Sequence, residues 1–276
     1  MQLELLSLAP LLGALLLSGA VIGVLAGLFG VGGGAISVPV FFDVFRIVGL
    51  VDEVAMPLAV GTSLAMIVPT SVLSACEHAR KGTLEVAVLK AWLLPILSGV
   101  AIGAALARVA QPALFQGVFV VVAGLLATKL LFGMGNWQLS DTLPGRFAMS
   151  IYGVVLGLAS ALMGIGGGAL SNLVLTAHGR SMIQAVSTSA GVGMLIAVPG
   201  TVGYMLAGWG KPGLPFDAIG YISMLTLVLT LPTALLTTKL GVRLAHSLTR
   251  ETLTRLFGVF LLLVVLRFLV ELFRLH

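Results

Sequence analysis

The chain has 276 residues, of which 59% are hydrophobic and 9% charged, with a mean hydropathy of +1.15 and a net charge of +5. Soluble domains carry roughly 25% charged residues, so 15 Lys and Arg with 10 Asp and Glu cannot cover a body of this size in water; most of its solvent is lipid. The one cysteine, Cys76, excludes an internal disulfide and a Cys-based zinc or iron–sulfur site, and the scattered basic residues form no run suited to nucleic acid. The residues hold no metal-binding or cofactor-binding motif, so no cofactor is expected.

In chain order, apolar segments are expected over about 8 to 29, 33 to 48, 55 to 76, 84 to 107 and 113 to 133, then 147 to 163, 166 to 177, 185 to 208, 218 to 238 and 254 to 273. The N-terminus lacks a basic region and an A-x-A-like stop, which reads as a first membrane helix and not a cleaved signal peptide. The expected fold class is an all-α polytopic membrane protein. Residues 135–146, rich in Gly, Pro and Asn breakers, form the longest hydrophilic stretch and read as a linker between a first repeat, 1–134, and a second, 147–276.

Matched blocks support the duplication. Gly30-Val31-Gly32-Gly33-Gly34-Ala35-Ile36-Ser37 recurs as Gly164-Ile165-Gly166-Gly167-Gly168-Ala169-Leu170-Ser171, and Ala59-Val60-Gly61-Thr62-Ser63 recurs as Ala185-Val186-Ser187-Thr188-Ser189. Gly103 to Ala107 matches Gly241 to Ala245 in the same order. Each repeat holds about five helical segments, giving 8 to 10 transmembrane segments in all. With ten, Arg80, Lys81, Lys129, Arg146, Arg180, Lys239, Arg243, Arg250 and Arg255 face one side and Arg46, Arg108, Lys211, Arg267 and Arg274 the other. That asymmetry favours inverted repeats with both termini outside; with eight crossings it vanishes.

The glycine clusters are the candidate site. The 38 residues between Glu4 and Asp43 would make about 57 Å of helix, too long for one crossing and scarcely enough for two, so the chain turns at depth. Gly30, Gly32, Gly33 and Gly34 can supply the turn, and Gly164, Gly166, Gly167 and Gly168 repeat it. A helix starting there aims uncapped amides and a positive dipole end at an anion, and paired broken helices mark transporter substrate sites. Thr62, Ser63, Thr188 and Ser189, with Ser37, Ser171 and Asn172, add neutral donors. The competing reading is small-residue helix packing. Asp43 and Arg46, three apart, are expected to pair with each other, and His78 and His178 to be loop residues. An embedded hydrolase using Ser171 and His178 is disfavoured, because two helical turns separate them and no hydrolase motif is present, so the chain reads as a non-enzyme.

The doubled pairing of Gly-x-Gly-Gly-Gly with Ala-x-x-Thr-Ser resembles the TauE/SafE family of sulfite exporters and related membrane transporters. That resemblance implies a multi-pass carrier in a bacterial inner (plasma) membrane, exporting small sulfur-containing anions such as sulfite or organosulfonates. The partners expected are the small anionic substrate and the bilayer, with no nucleic acid, and a body this small is compatible with a homodimer. A passive anion channel, or a carrier of a non-sulfur organic anion, stands as the alternative. The second half departs from the pattern at Leu173, where the first has Pro39, and a basic residue common ahead of the Ala-x-x-Thr-Ser element is missing from both halves.

Overall fold

A computed structural model describes residues 2–29, 34–132 and 139–274. The described residues form ten helices: α1 (Gln2–Phe29), α2 (Gly34–Ile47), α3 (Asp52–Arg80), α4 (Val86–Ala107), α5 (Pro112–Phe132), α6 (Arg146–Met163), α7 (Gly168–Ala177), α8 (Met182–Ala207), α9 (Met224–Ser247) and α10 (Arg250–Arg274). No strand occurs among them beyond a single bridge between Ala218 and Ser223. Seven helices, α3 to α6 and α8 to α10, are long and apolar enough to span a bilayer, and α1 and α7 contribute shorter apolar stretches. The chain is a multi-pass, all-α membrane protein.

The two short helices set the depth of the chain breaks. At 14 and 10 residues, α2 and α7 are about 21 Å and about 15 Å long, less than the ~30 Å hydrocarbon layer. The Ala177 carbonyl, ending α7, accepts hydrogen bonds from Leu139 N–H (2.7 Å) and Ser140 N–H, just ahead of α6. The chain therefore enters along α6, turns within the body and returns along α7 to the side it came from.

Helix directions follow from side-chain neighbours. Along α3, Gly61 meets Tyr204, Leu64 meets Gly200, Ser71 meets Gly193 and His78 meets Ser187, so α3 and α8 run antiparallel through the centre. The α5 and α10 pair is antiparallel too, with Phe119 against Phe268, Gly124 against Val265 and Leu131 against Gly258. In contrast α1 and α9 run parallel, as do α4 and α6. Both parallel pairs close on glycine: a Cβ at Gly19 or Gly23 would strike the backbone of α9, and one at Gly99 or Gly157 the backbone of α6 or α4. Without a hydrophobic force between helices in lipid, this close van der Waals approach holds them together. Small-residue packing is thus the right reading for these glycines. Around the centre, Phe41, Phe42, Trp92, Phe115, Phe119, Tyr204 and Phe268 are fully buried.

Three sequence expectations are corrected. Asp43 and Arg46 do not pair with each other: Asp43 takes the guanidinium of Arg267, while Arg46 bridges Asp52 (3.0 Å) and Glu271. Both partners from α10 come from the far end of the chain, and their charges meet at the side where α2 ends. His178 is 5% exposed at the end of α7, its Nδ1 2.8 Å from the Val174 carbonyl oxygen, and His78 lies inside α3, so neither is a solvated loop residue. Finally α9 starts at Met224 instead of 218, because the Asp217 carboxylate accepts from Ser223 Oγ (2.7 Å) and Leu225 N–H (2.9 Å) and holds 217–223 as a capping loop.

Replacing Gly157 with Leu should force α4 and α6 apart and cost about 1–3 kcal/mol. Gly117→Ala in α5, where an added Cβ meets nothing within 4 Å, should leave stability unchanged or slightly raised. Intrinsic-fluorescence melting in detergent checks both; equal midpoints for the two variants would contradict the packing described.

Candidate functional site

The second glycine motif is a true break. Helix α6 closes at Met163, and Gly164 follows in the left-handed region (φ 64°) with its N–H on the Ser160 carbonyl. Gly167 is left-handed as well (φ 68°) and stands as N-cap of α7. Such angles cost an L-residue roughly 1–2 kcal/mol and come freely to glycine. At Gly167 an added Cβ would also press on Ile196 Cδ1, the movable tip of a side chain, so the backbone angle is the stronger requirement.

The start of α7 is electropositive and open. Ser171 N–H closes the first turn on the Gly167 carbonyl (2.9 Å), which leaves the amides of Gly168, Ala169 and Leu170 without a helical acceptor. No side chain caps them. Those three residues are part-exposed although they sit between α6 and α8, and a Cβ on Gly168 would meet nothing within 4 Å.

Of the first motif, Gly30, Gly32 and Gly33 lie outside the described residues, as do 135–138 of the linker. Its last member, Gly34, opens α2 and packs on the backbone of the second motif: a Cβ there would lie 2.7 Å from the Gly164 oxygen and 2.8 Å from Ile165 Cα. Ser63 on α3 donates to the Gly164 carbonyl (2.7 Å), and Ser37 on α2 sits 2.6 Å from Ser63 Oγ. With its own proton on Gly164, Ser63 receives the proton of Ser37. The matched residues of the second half pair likewise, Ser171 Oγ lying 2.9 Å from Ser189 Oγ and 2.7 Å from the Gly167 carbonyl. All four serines are buried. Thus Gly34, Ser37, Ser63 and Gly164 meet at one place, and Gly167, Ser171 and Ser189 at another.

The threonines each accept from a helix-start amide. Thr62 Oγ1 accepts from Ser223 N–H (3.0 Å), immediately before α9, and Thr188 Oγ1 accepts from Glu85 N–H (3.1 Å), immediately before α4. Each caps the head of a helix from the opposite half of the chain. Neither is exposed. Near Thr188 the Glu85 carboxylate also pairs with Arg180 (3.1 Å) at the base of α8, and Ser187 bonds both His78 Nδ1 (3.0 Å) and Thr83 Oγ1 (2.9 Å).

Two polar atoms at the break lack partners among the described residues. Asn172 Oδ1 is one, on part-exposed Asn172 of α7. The other is Ser160 Oγ, on a fully buried residue one turn before the break. Ser160 is missing from the sequence-derived site because the motif comparison had no place for it: the position one turn ahead of the first cluster is Ala26.

Residues 15–268 match the sequence model of the family described as Sulfite exporter TauE/SafE. A probable membrane transporter protein of Haemophilus influenzae is 33% identical over 252 residues, 91% of this chain and 95% of that protein. A probable membrane transporter protein of Methanocaldococcus jannaschii is 27% identical over 257 residues, 92% of each chain. No solved structure shows a significant match. With ten helices among its described residues and nine-tenths of its length aligned to proteins named probable membrane transporters, this chain belongs to the TauE/SafE family of membrane transporters.

Proposed function

We propose that the protein carries small sulfur-containing oxyanions, such as sulfite or organosulfonates, out of a bacterial cell across its inner membrane. Transport proceeds by alternating access around a site between two inverted repeats, residues 1–134 and 147–276. The observation that carries this reading is the uncapped start of α7, open beside Gly168 and built on two left-handed glycines at membrane depth. Irregular backbone survives there only where it is buried in protein or lines a wet cavity, and free amides at a helix start favour negative charge. Gly168 and Asn172 sit at this opening, while Ser37, Ser63, Ser171 and Ser189 hold the motifs in place through their mutual hydrogen bonds.

Helix directions support inversion. A two-fold axis in the membrane plane makes α3 and α8, and α5 and α10, antiparallel pairs, and maps the parallel pair α1/α9 onto α6/α4. The reciprocal caps of Thr62 and Thr188 obey the same operation, as do the Ser37–Ser63 and Ser171–Ser189 pairs. The basic residues grouped by the ten-segment reading also keep company in space: Arg46 and Arg267 join one charge cluster at the end of α2. For hydrolysis the geometry offers nothing, since Ser171 bonds Gly167 and Ser189 while His178 bonds Val174.

Sulfite should raise the melting midpoint of the purified protein, because a ligand held by the folded form at 100 times its Kd adds about 2.7 kcal/mol of stability. Gly167→Ala should remove that response while the protein still melts cooperatively; an unchanged sulfite response would refute the site. In proteoliposomes, flux should saturate and labelled sulfite should be driven outward by unlabelled sulfite on the far side, whereas a channel shows no counter-transport. Thr188→Val should leave the part-buried Glu85 amide without its acceptor, costing about 1 kcal/mol, with Thr188→Ser close to wild type. Thr62→Val should do the same at Ser223, and unaltered melting in both valine variants would disprove the capping role.

A further inference from the structure

Ser160 stands apart from every other buried hydroxyl around the break. Ser37, Ser63, Ser171 and Ser189 are each bonded within the protein, yet Ser160 Oγ is buried on a residue with no exposed surface and has no partner among the described residues. A hydroxyl in that condition has given up water without compensation, an arrangement that native structures retain where a ligand or a water completes the bond. Its position names the ligand. Ser160 Oγ lies 3.1 Å from the place a Cβ would occupy on Gly167, the N-cap of α7. Any larger residue at 167 would crowd this hydroxyl.

We propose that Ser160 is a substrate-binding residue, donating its O–H to one oxygen of an oxyanion whose other oxygens rest on the amides of Gly168, Ala169 and Leu170. This rests on the transport reading above and deepens it. The donors come from two elements, the last turn of α6 and the first turn of α7, so they suit a compact anion with two or more oxygens on one centre, as in sulfite or a sulfonate head. A halide can also accept several hydrogen bonds, but from one spherical centre and with no separate oxygens to pair with separate donors, so chloride is the control for the oxyanion fit. The set is neutral, so the anion is held by dipoles and hydrogen bonds and can be released. Ser160 has no hydroxyl counterpart in the first half, where Ala26 stands, while Gly34 on α2 and Ser63 on α3 brace the second motif from that half.

The test is a pair of measurements on the full-length protein in detergent, melting without ligand and titration with sulfite or chloride. Ser160→Ala should bind sulfite about tenfold more weakly, the loss of one hydrogen bond to a charged group. Its ligand-free midpoint should equal or exceed that of wild type, because a buried hydroxyl without a partner has been removed. Ser160→Cys, similar in size with a weaker donor, should fall between, and the chloride response should be the same in all three proteins. The proposal is overturned if Ser160→Ala binds sulfite within twofold of wild type, if its ligand-free midpoint drops, or if chloride and sulfite responses fall in parallel. Wild-type protein that ignores sulfite while Gly167→Ala behaves identically sinks the transport reading itself; a wild-type response kept in full by Ser160→Ala sinks only the role of Ser160.

Discussion

A backbone carbonyl in hydrocarbon has no water to turn to, and the hydrogen bond from Ser63 to Gly164 answers that constraint at the point where the fold needs it most. When α6 stops, its last carbonyls lose their helical donors. Tyr204, on α8, donates its hydroxyl proton to the first of them, Ala161; Ser63, one helix away and from the other half of the chain, supplies the last, Gly164, and Ser37 in turn supplies Ser63. With that carbonyl satisfied, the chain can reverse at depth and start α7 with its amides free. An unbroken helix would place no donors inside the membrane; a break without Ser63 would leave an uncompensated acceptor there.

Glycine serves two physical ends in this chain. At Gly19, Gly23, Gly99 and Gly157 it removes a side chain so that helical backbones touch, and any conformation other than right-handed helix would be useless there. At Gly164 and Gly167 it provides positive φ, which other residues adopt only under strain. The same composition reads alike in sequence for both, and duplication of the cluster is what separates them. Packing glycines recur at helical spacing, one or two turns apart, whereas those of the break are consecutive and followed at once by a new helix.

Much of the architecture was legible because lipid imposes long apolar runs bounded by charge. Segment ends fall within a few residues of the helices for α2, α4, α5, α6 and α7. The start of α9 was not legible, since it depends on Asp217 reaching forward to two groups beyond the turn. Nor were Arg267 as the partner of Asp43 and Glu271 as a partner of Arg46: both lie on α10, more than two hundred positions away, and nearest-neighbour reasoning along one helix has no access to them. The threonines show what a motif leaves out. Their type and repetition identified them as special, but that their hydroxyl oxygens accept from helix-start amides depends on neighbouring helices that the motif does not place. Ser160 escaped because it breaks the internal symmetry that revealed the rest.

The exchange of caps between halves bears on how the molecule is made. As the chain leaves the ribosome, α4 enters the bilayer with the Glu85 amide at its head still lacking an acceptor, and that deficit lasts until Thr188, about a hundred residues later, has been synthesised and inserted. The debt in the reverse direction is settled at once, because Thr62 is already in place when Ser223 arrives. Biogenesis is therefore asymmetric even where the finished architecture is balanced: the leading portion waits, incompletely closed, for the trailing portion to lock it.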